Sequence, residues 1–174
     1  GDGPATIEHY LLAVEQEPDR FDYILRIAEL YALGRDWDQA VVWMERYIET
    51  GPAAVSFYWE LLGEYLIASG READAVRSLE RALVLEPYTY LARIRMAEVY
   101  EGRGETELAI EYLEFLTHYA VDRDPEIYTR LAGIYSSEER WRDALRVLNK
   151  GARIFPSDTT IYRARREAEI SVRQ

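Results

Sequence analysis

The chain has 174 residues, 48% hydrophobic and 30% charged, with 14 Tyr, 4 Trp and no Cys. That composition excludes a disordered chain, disulfides, thiolate metal sites and cysteine nucleophiles, and no window approaches the 18 apolar residues of a membrane span. Net charge is −11 but uneven: residues 140–174 hold nine Arg/Lys against four Asp/Glu, and residues 1–139 hold twelve against twenty-eight, a sign that disfavours nucleic acid along the main body.

The opening GDGPATIEHY has neither Met nor a signal-peptide core, so it reads as a processed edge within a longer chain. Residues 5–18 then predict one helix ending at Pro18, with Tyr10 and Ala13 on its apolar stripe. Four helix pairs follow, over 21–55, 56–89, 90–124 and 125–158. In the second, YWELLGEYLIASG runs through Trp59, Leu62, Gly63 and Leu66 and breaks at Gly70. Its partner ADAVRSLERALVLE carries Ala75, Leu79 and Ala82 and stops at Pro87, which cannot donate the helical hydrogen bond. Residues 159–174 predict a last helix with Ile161, Ala164 and Ala168 as its stripe and arginines elsewhere, the pattern of a solvating cap.

The pairs are copies of one another. Ala40, Ala75, Ala109 and Ala144 lie 35, 34 and 35 residues apart, and Ala28, Gly63, Ala97 and Ala132 keep the same spacings twelve residues earlier. Tyr31, Leu66, Tyr100 and Tyr135 form a third column, and Pro52, Pro87 and Pro156 a fourth, with Val121 in the remaining place. Two small columns predict close helix–helix approach in every pair, with Gly63 opposite Ala75. A mid-helix glycine costs about 1 kcal/mol relative to alanine. Burial of Trp59, Leu62 and Leu79 around the crossing more than offsets that.

These residues resemble the tetratricopeptide repeat (TPR) family, most fully in W59-x-x-L62-G63-x-x-L66…G70…A75-x-x-x-L79-x-x-A82…P87. The resemblance covers residues 5–158. It implies an all-α fold, a right-handed α-solenoid of antiparallel helix pairs with about ten helices in one array. Where the family places its turn glycine, the first and fourth repeats have Arg35 and Glu139, so those two turns are expected to differ from the others. Gly151 replaces the second-helix alanine of the fourth repeat.

Chemistry is sparse. His9 and His118 fall on separate repeats, and a repeat array brings only neighbours together; His118 reads as a helix-terminal residue. Nucleophile-elbow, phosphate-loop and zincin motifs are absent from the sequence. No enzyme activity, cofactor or metal is expected. Trp59, Trp37 and Trp141 read as structural aromatics, and Trp43 as partly exposed.

The resemblance assigns the concave side to the second, fifth, ninth and twelfth positions of each repeat. These are Asp22, Leu25, Glu29 and Ala32; Phe57, Glu60, Glu64 and Ile67; Leu91, Ile94, Glu98 and Glu101; Glu126, Thr129, Gly133 and Ser136. The face is acidic with apolar interruptions, bordered by Arg26, Arg95 and Arg130 at the sixth position. The lysine and asparagine with which some family members grip a carboxylate terminus are missing. The expected role is a non-catalytic module binding a protein or peptide, basic with apolar anchors. Two alternatives are an accessory array of a larger enzyme or regulator, and self-association through oppositely charged ends. One lysine against twenty arginines points to a bacterial source, in cytoplasm or periplasm.

Overall fold

The computed structural model describes residues 3–51, 55–120, 122 and 124–173. Ten helices make up these residues: α1 (Gly3–Gln16), α2 (Phe21–Leu33), α3 (Trp37–Thr50), α4 (Ser56–Ala68), α5 (Glu72–Leu85), α6 (Tyr90–Gly102), α7 (Thr106–Tyr119), α8 (Glu126–Ser137), α9 (Trp141–Ile154) and α10 (Thr159–Val172). Even-numbered helices are the first members (A) of the sequence repeats and odd-numbered helices the second members (B). Pro52 and Val121 lie outside the described residues. Contacts group the chain into two compact units, Gly1–Arg95 and Met96–Gln174, so the division falls within α6.

In the first unit α1 packs on α2, α2 on α3, α3 on α4 and α4 on α5. The core collects Ile24, Ile27 and Ala28 of α2, Ala40 and Met44 of α3, and Leu62 and Leu66 of α4. From α1, Val14 joins it, while Tyr10 packs half-buried against it; Ala13, expected on the stripe, is only half-buried. Aromatics bridge consecutive repeats. Tyr47 of α3 meets Tyr58 of α4 edge to face at 4.7 Å, and Trp37 lies 6.1 Å from Tyr65. Burial pushes the phenols of Tyr47 and Tyr65 up to about 12.

The close approach at Gly63 is present, but its partner is Leu79 rather than Ala75. A Cβ on Gly63 would stand 2.7 Å from Leu79 Cδ2 and 2.8 Å from its Cγ. Leu79 is fully buried, so its branched end fills the space a side chain at 63 would need. Trp59, placed by its column in the core, is half-buried; its carbonyl accepts a hydrogen bond from Ser78 Oγ at 2.8 Å.

In the second unit α7 packs on α8, α8 on α9, and α10 on both α9 and α8. Tyr128 and Tyr135 are among its fully buried side chains. The glycine that replaces alanine in α9 has a reason: a Cβ on Gly151 would lie 2.8 Å from Tyr128 Cγ. Helix α10 begins at Asp158, whose carboxylate accepts from the Thr160 and Ile161 amides at 2.9 Å. It buries Ile161 and Ala168, with Ala164 half-buried.

All four turns between A and B helices are alike, which corrects the expectation for Arg35 and Glu139. Arg35 and Glu139 adopt φ of 60° and 58°, beside 77° and 72° at Gly70 and Gly104. Each turn closes with the same long backbone bond: Asp36 N to Tyr31 O, Arg71 N to Leu66 O, Glu105 N to Tyr100 O and Arg140 N to Tyr135 O, at 2.8–2.9 Å. This is the Schellman helix end. The last-turn carbonyls must be satisfied whatever residue stands at the reversal, so geometry overrides the left-handed penalty of a side chain.

Candidate partner-binding face

Successive A helices place the candidate residues. Within the first unit, α4 is pinned to the chain that enters α6 by three polar contacts. Ser56 Oγ donates to Glu86 Oε2 at 2.7 Å, Thr89 Oγ1 donates to Glu60 Oε1, and Arg95 Nη2 pairs with Glu64 Oε1 at 3.4 Å. Glu60 is thereby taken inside the unit, 8% exposed. It pins two repeats together and is nearly closed to solvent.

The other acids of the candidate face are largely answered by arginine. Asp22 accepts from Arg20 Nε and Nη2 at 3.0 and 2.9 Å, and the guanidinium holds its carboxyl below the usual range. Glu29 accepts from Arg26 Nη1 at 2.9 Å. In the second unit Arg130 of α8 forks onto both α6 acids, with Nε and Nη2 on Glu101 at 2.8 and 3.1 Å and Nη1 on Glu98 at 3.2 Å. Arg95 and Arg130, at the sixth position, thus reach back to the ninth- or twelfth-position acid of the preceding A helix, whereas Arg26 pairs within its own helix. Within each unit these acids carry less uncompensated negative charge than the sequence suggests.

Apolar members divide by depth. Leu25 and Ile67 pack half-buried against the first unit's core, and Ile94 is half-buried. Phe57 and Leu91, both at the second position of their repeats, stand 53% and 44% exposed. Beside them in sequence, Val55 and Tyr88 are 48% and 68% exposed. Val55 and Tyr88 precede α4 and α6, so helix periodicity does not single them out. In the second unit Glu126 is exposed, Thr129 Oγ1 donates to the Glu126 carbonyl at 3.0 Å, and Ser136 Oγ donates to the Ala132 carbonyl at 2.8 Å. Gly133 is exposed, with open space where a Cβ would lie.

His118 sits in the last turn of α7 with Nδ1 2.8 Å from the Glu114 carbonyl oxygen. Trp43 is half-buried with the Arg46 guanidinium 5.0 Å from its ring centroid, and Trp141 is half-buried. Among the described residues there is no group of three or more His, Asp or Glu side chains suited to a metal ion, and no helix long and apolar enough to cross a membrane.

No family model matches the sequence. Over 141 residues it is 25% identical to the human protein O-mannosyl-transferase TMTC1, covering 79% of this chain and 15% of that protein's length. Among solved structures, the C-terminal part of a TPR repeat-containing protein from Cytophaga hutchinsonii superposes with TM-score 0.85 at 19% identity, covering 98% of this chain and 67% of that one. The protein MamA superposes at 0.79 with 18% identity over 90% of this chain and 84% of its own. YrrB, described as a TPR protein with an unusual peptide-binding site, superposes at 0.74 with 17% identity, covering 95% and 84%. The fold is therefore that of TPR repeat proteins, an all-α helical solenoid class.

Proposed function

We propose that this TPR-fold chain is a non-catalytic protein-interaction module that holds an extended or helical segment of a partner protein on the A-helix face of its first unit. The observation that carries this reading is the pair Phe57 and Leu91, exposed at the same repeat position on α4 and α6. Large apolar side chains left open in register are natural anchors, since desolvating each is worth about 1.5–3 kcal/mol. The carboxylates Glu29 and Glu64 lie on this face beside arginines that already engage them. We therefore assign affinity to the apolar anchors and steering to the net negative charge, which favours a basic ligand.

A peptide with two apolar anchors, made with basic or with acidic flanks and titrated by calorimetry, tests this. The basic form should bind several-fold tighter, lose that advantage in high salt, and lose about tenfold in affinity on Phe57→Ser. Equal binding of the acidic form, or indifference to Phe57→Ser and Leu91→Ser, rejects the reading.

The match to 15% of the length of the human O-mannosyl-transferase favours a second reading, an accessory array attached to a larger enzyme. Coding sequence on either side of these residues discriminates between the two.

A further inference from the structure

The two sides of α4 have different surroundings. At about 100° per residue, Phe57, Glu60, Glu64 and Ile67 share one side of the helix, and Trp59, Leu62 and Leu66 share the opposite one. The second side floors a cleft of about 290 Å³ between the B helices α3 and α5, within the first unit. Leu62 and Leu66 are buried beneath it, while Trp59 and Ile48 of α3 are half-buried and leave apolar surface open along it.

Carboxylates and guanidiniums edge the cleft, and their charges do not balance. On the α5 side Asp74 accepts from Arg71 Nε and Nη2 at 2.9 and 2.7 Å and pairs with Arg77 as well. On the α3 side Glu45 lies 3.7 Å from Arg71. Glu49, one turn further along α3, is exposed, and its carboxylate has no ion pair or hydrogen bond among the described residues. Three carboxylates thus face two guanidiniums. Glu49 also stands in the last turn of α3, where the helix's own negative end disfavours a carboxylate and favours a cation.

An open apolar floor with one unanswered negative charge at its edge suits an apolar stem that ends in a single positive charge. Arginine meets both demands better than lysine, since its planar guanidinium stacks on aromatic rings and forks onto a carboxylate. The chain itself uses such stacking at Trp43, where the Arg46 guanidinium lies 5.0 Å from the ring centroid. We propose that this cleft takes an arginine side chain of a partner protein, its stem along Ile48 and Trp59 and its guanidinium on Glu49. The site lies across α4 from Phe57, so it is a second docking surface, independent of the A-helix face.

Four tryptophans give four indole N–H signals in NMR spectra, and Trp59→Phe identifies the one that reports on the cleft. The probe is a capped alanine–glutamine peptide with one central arginine, titrated beside versions carrying norleucine or glutamate in that place. The arginine peptide should shift the Trp59 signal saturably, with an affinity several-fold above that of the norleucine peptide. Glu49→Gln should erase that advantage and leave the norleucine titration unchanged, while Phe57→Ser alters neither. Equal affinity of the norleucine peptide would mean an apolar occupant, and tighter binding of the glutamate peptide a carboxylate seated on Arg71 and Arg77; either overturns the proposal. So does an unmoved Trp59 signal, or an arginine advantage that survives Glu49→Gln.

Discussion

At Gly63 and Gly133 one residue type answers opposite demands, and the difference is measurable. Alanine at Gly63 gains helix propensity but drives a Cβ to within 2.7 Å of the fully buried Leu79. Overpacking of that kind should cost about 1–3 kcal/mol in urea unfolding, and the second change Leu79→Ala should relieve the clash at that site. At Gly133 nothing lies within 4 Å of the new atom, so Gly133→Ala should stabilise by about 0.5–1 kcal/mol. The left-handed residues give a third case. Arg35→Gly and Glu139→Gly should each stabilise by up to about 1 kcal/mol, since the φ near 60° strains a side chain and not a glycine. A loss of stability at both sites would mean that the side chains themselves hold these turns. The small columns were legible in the sequence because sterics at a helix crossing admit few residue types: Ala40, Ala75, Ala109 and Ala144 are all fully buried. The left-handed turns at Arg35 and Glu139 were not. Their conformation is imposed by the carbonyls of the preceding helix rather than by the residue in place.

Between elements, the joint of α7, α8 and α9 carries a titratable network. Tyr135 Oη donates to Glu114 Oε1 at 2.6 Å, and Arg146 Nη2 donates to the same oxygen at 3.1 Å. The Tyr135 hydrogen bond, aided by Arg146, holds the Glu114 carboxyl below its ordinary 4.5. Burial, with the carboxylate beside it, pushes the Tyr135 phenol from 10 up to about 12. A depressed folded carboxyl contributes its full stability above its unfolded pKa and loses it as pH falls below about 4.5. A raised phenol contributes in full below pH 10 and loses its share as pH climbs from 10 toward 12. Tyr135→Phe should therefore flatten the acid limb below about pH 4.5 and part of the alkaline limb between pH 10 and 12 of stability against pH. Denaturant midpoints across the two windows check this. Element-scale pairing was only half visible in the sequence. Helix periodicity placed the second pair within a residue of α4 and α5. Which acid meets which arginine depends on side-chain reach across repeats, so the acidic face looked barer than it is, and Glu60 looked accessible.

For the whole molecule, repeat physics confines damage. Stability in such a fold is a sum of repeat terms and nearest-neighbour interfaces. A lesion in the first unit should thus act there first. Hydrogen exchange on Gly63→Ala should show faster opening of amides in α4 and α5 than in α9 and α10; uniform acceleration across all helices would instead indicate a single cooperative block. The repeated helix pair was readable from recurrence, since four aligned columns at one period have no simpler cause, and the solenoid from the resemblance those columns carry. The partner was not, because the anchors we propose, Phe57 and Leu91, stand open, and such openness is a property of the fold and not of the alphabet.

The junctions between helices are of two kinds. From each A helix to its B helix the chain always spends three residues: 34–36, 69–71, 103–105 and 138–140. From each B helix to the next A helix it spends four, five, four, six and four, over 17–20, 51–55, 86–89, 120–125 and 155–158. Drift in the period falls mainly at the second kind of joint, with one residue taken from α8, which has 12 residues against 13 in α2, α4 and α6. Extra residues grafted at 120–125 should be carried as a harmless bulge, whereas one residue added at 69–71 should break the reversal at Gly70. Such joints are where a label or an affinity tag can be seated without unsettling the array.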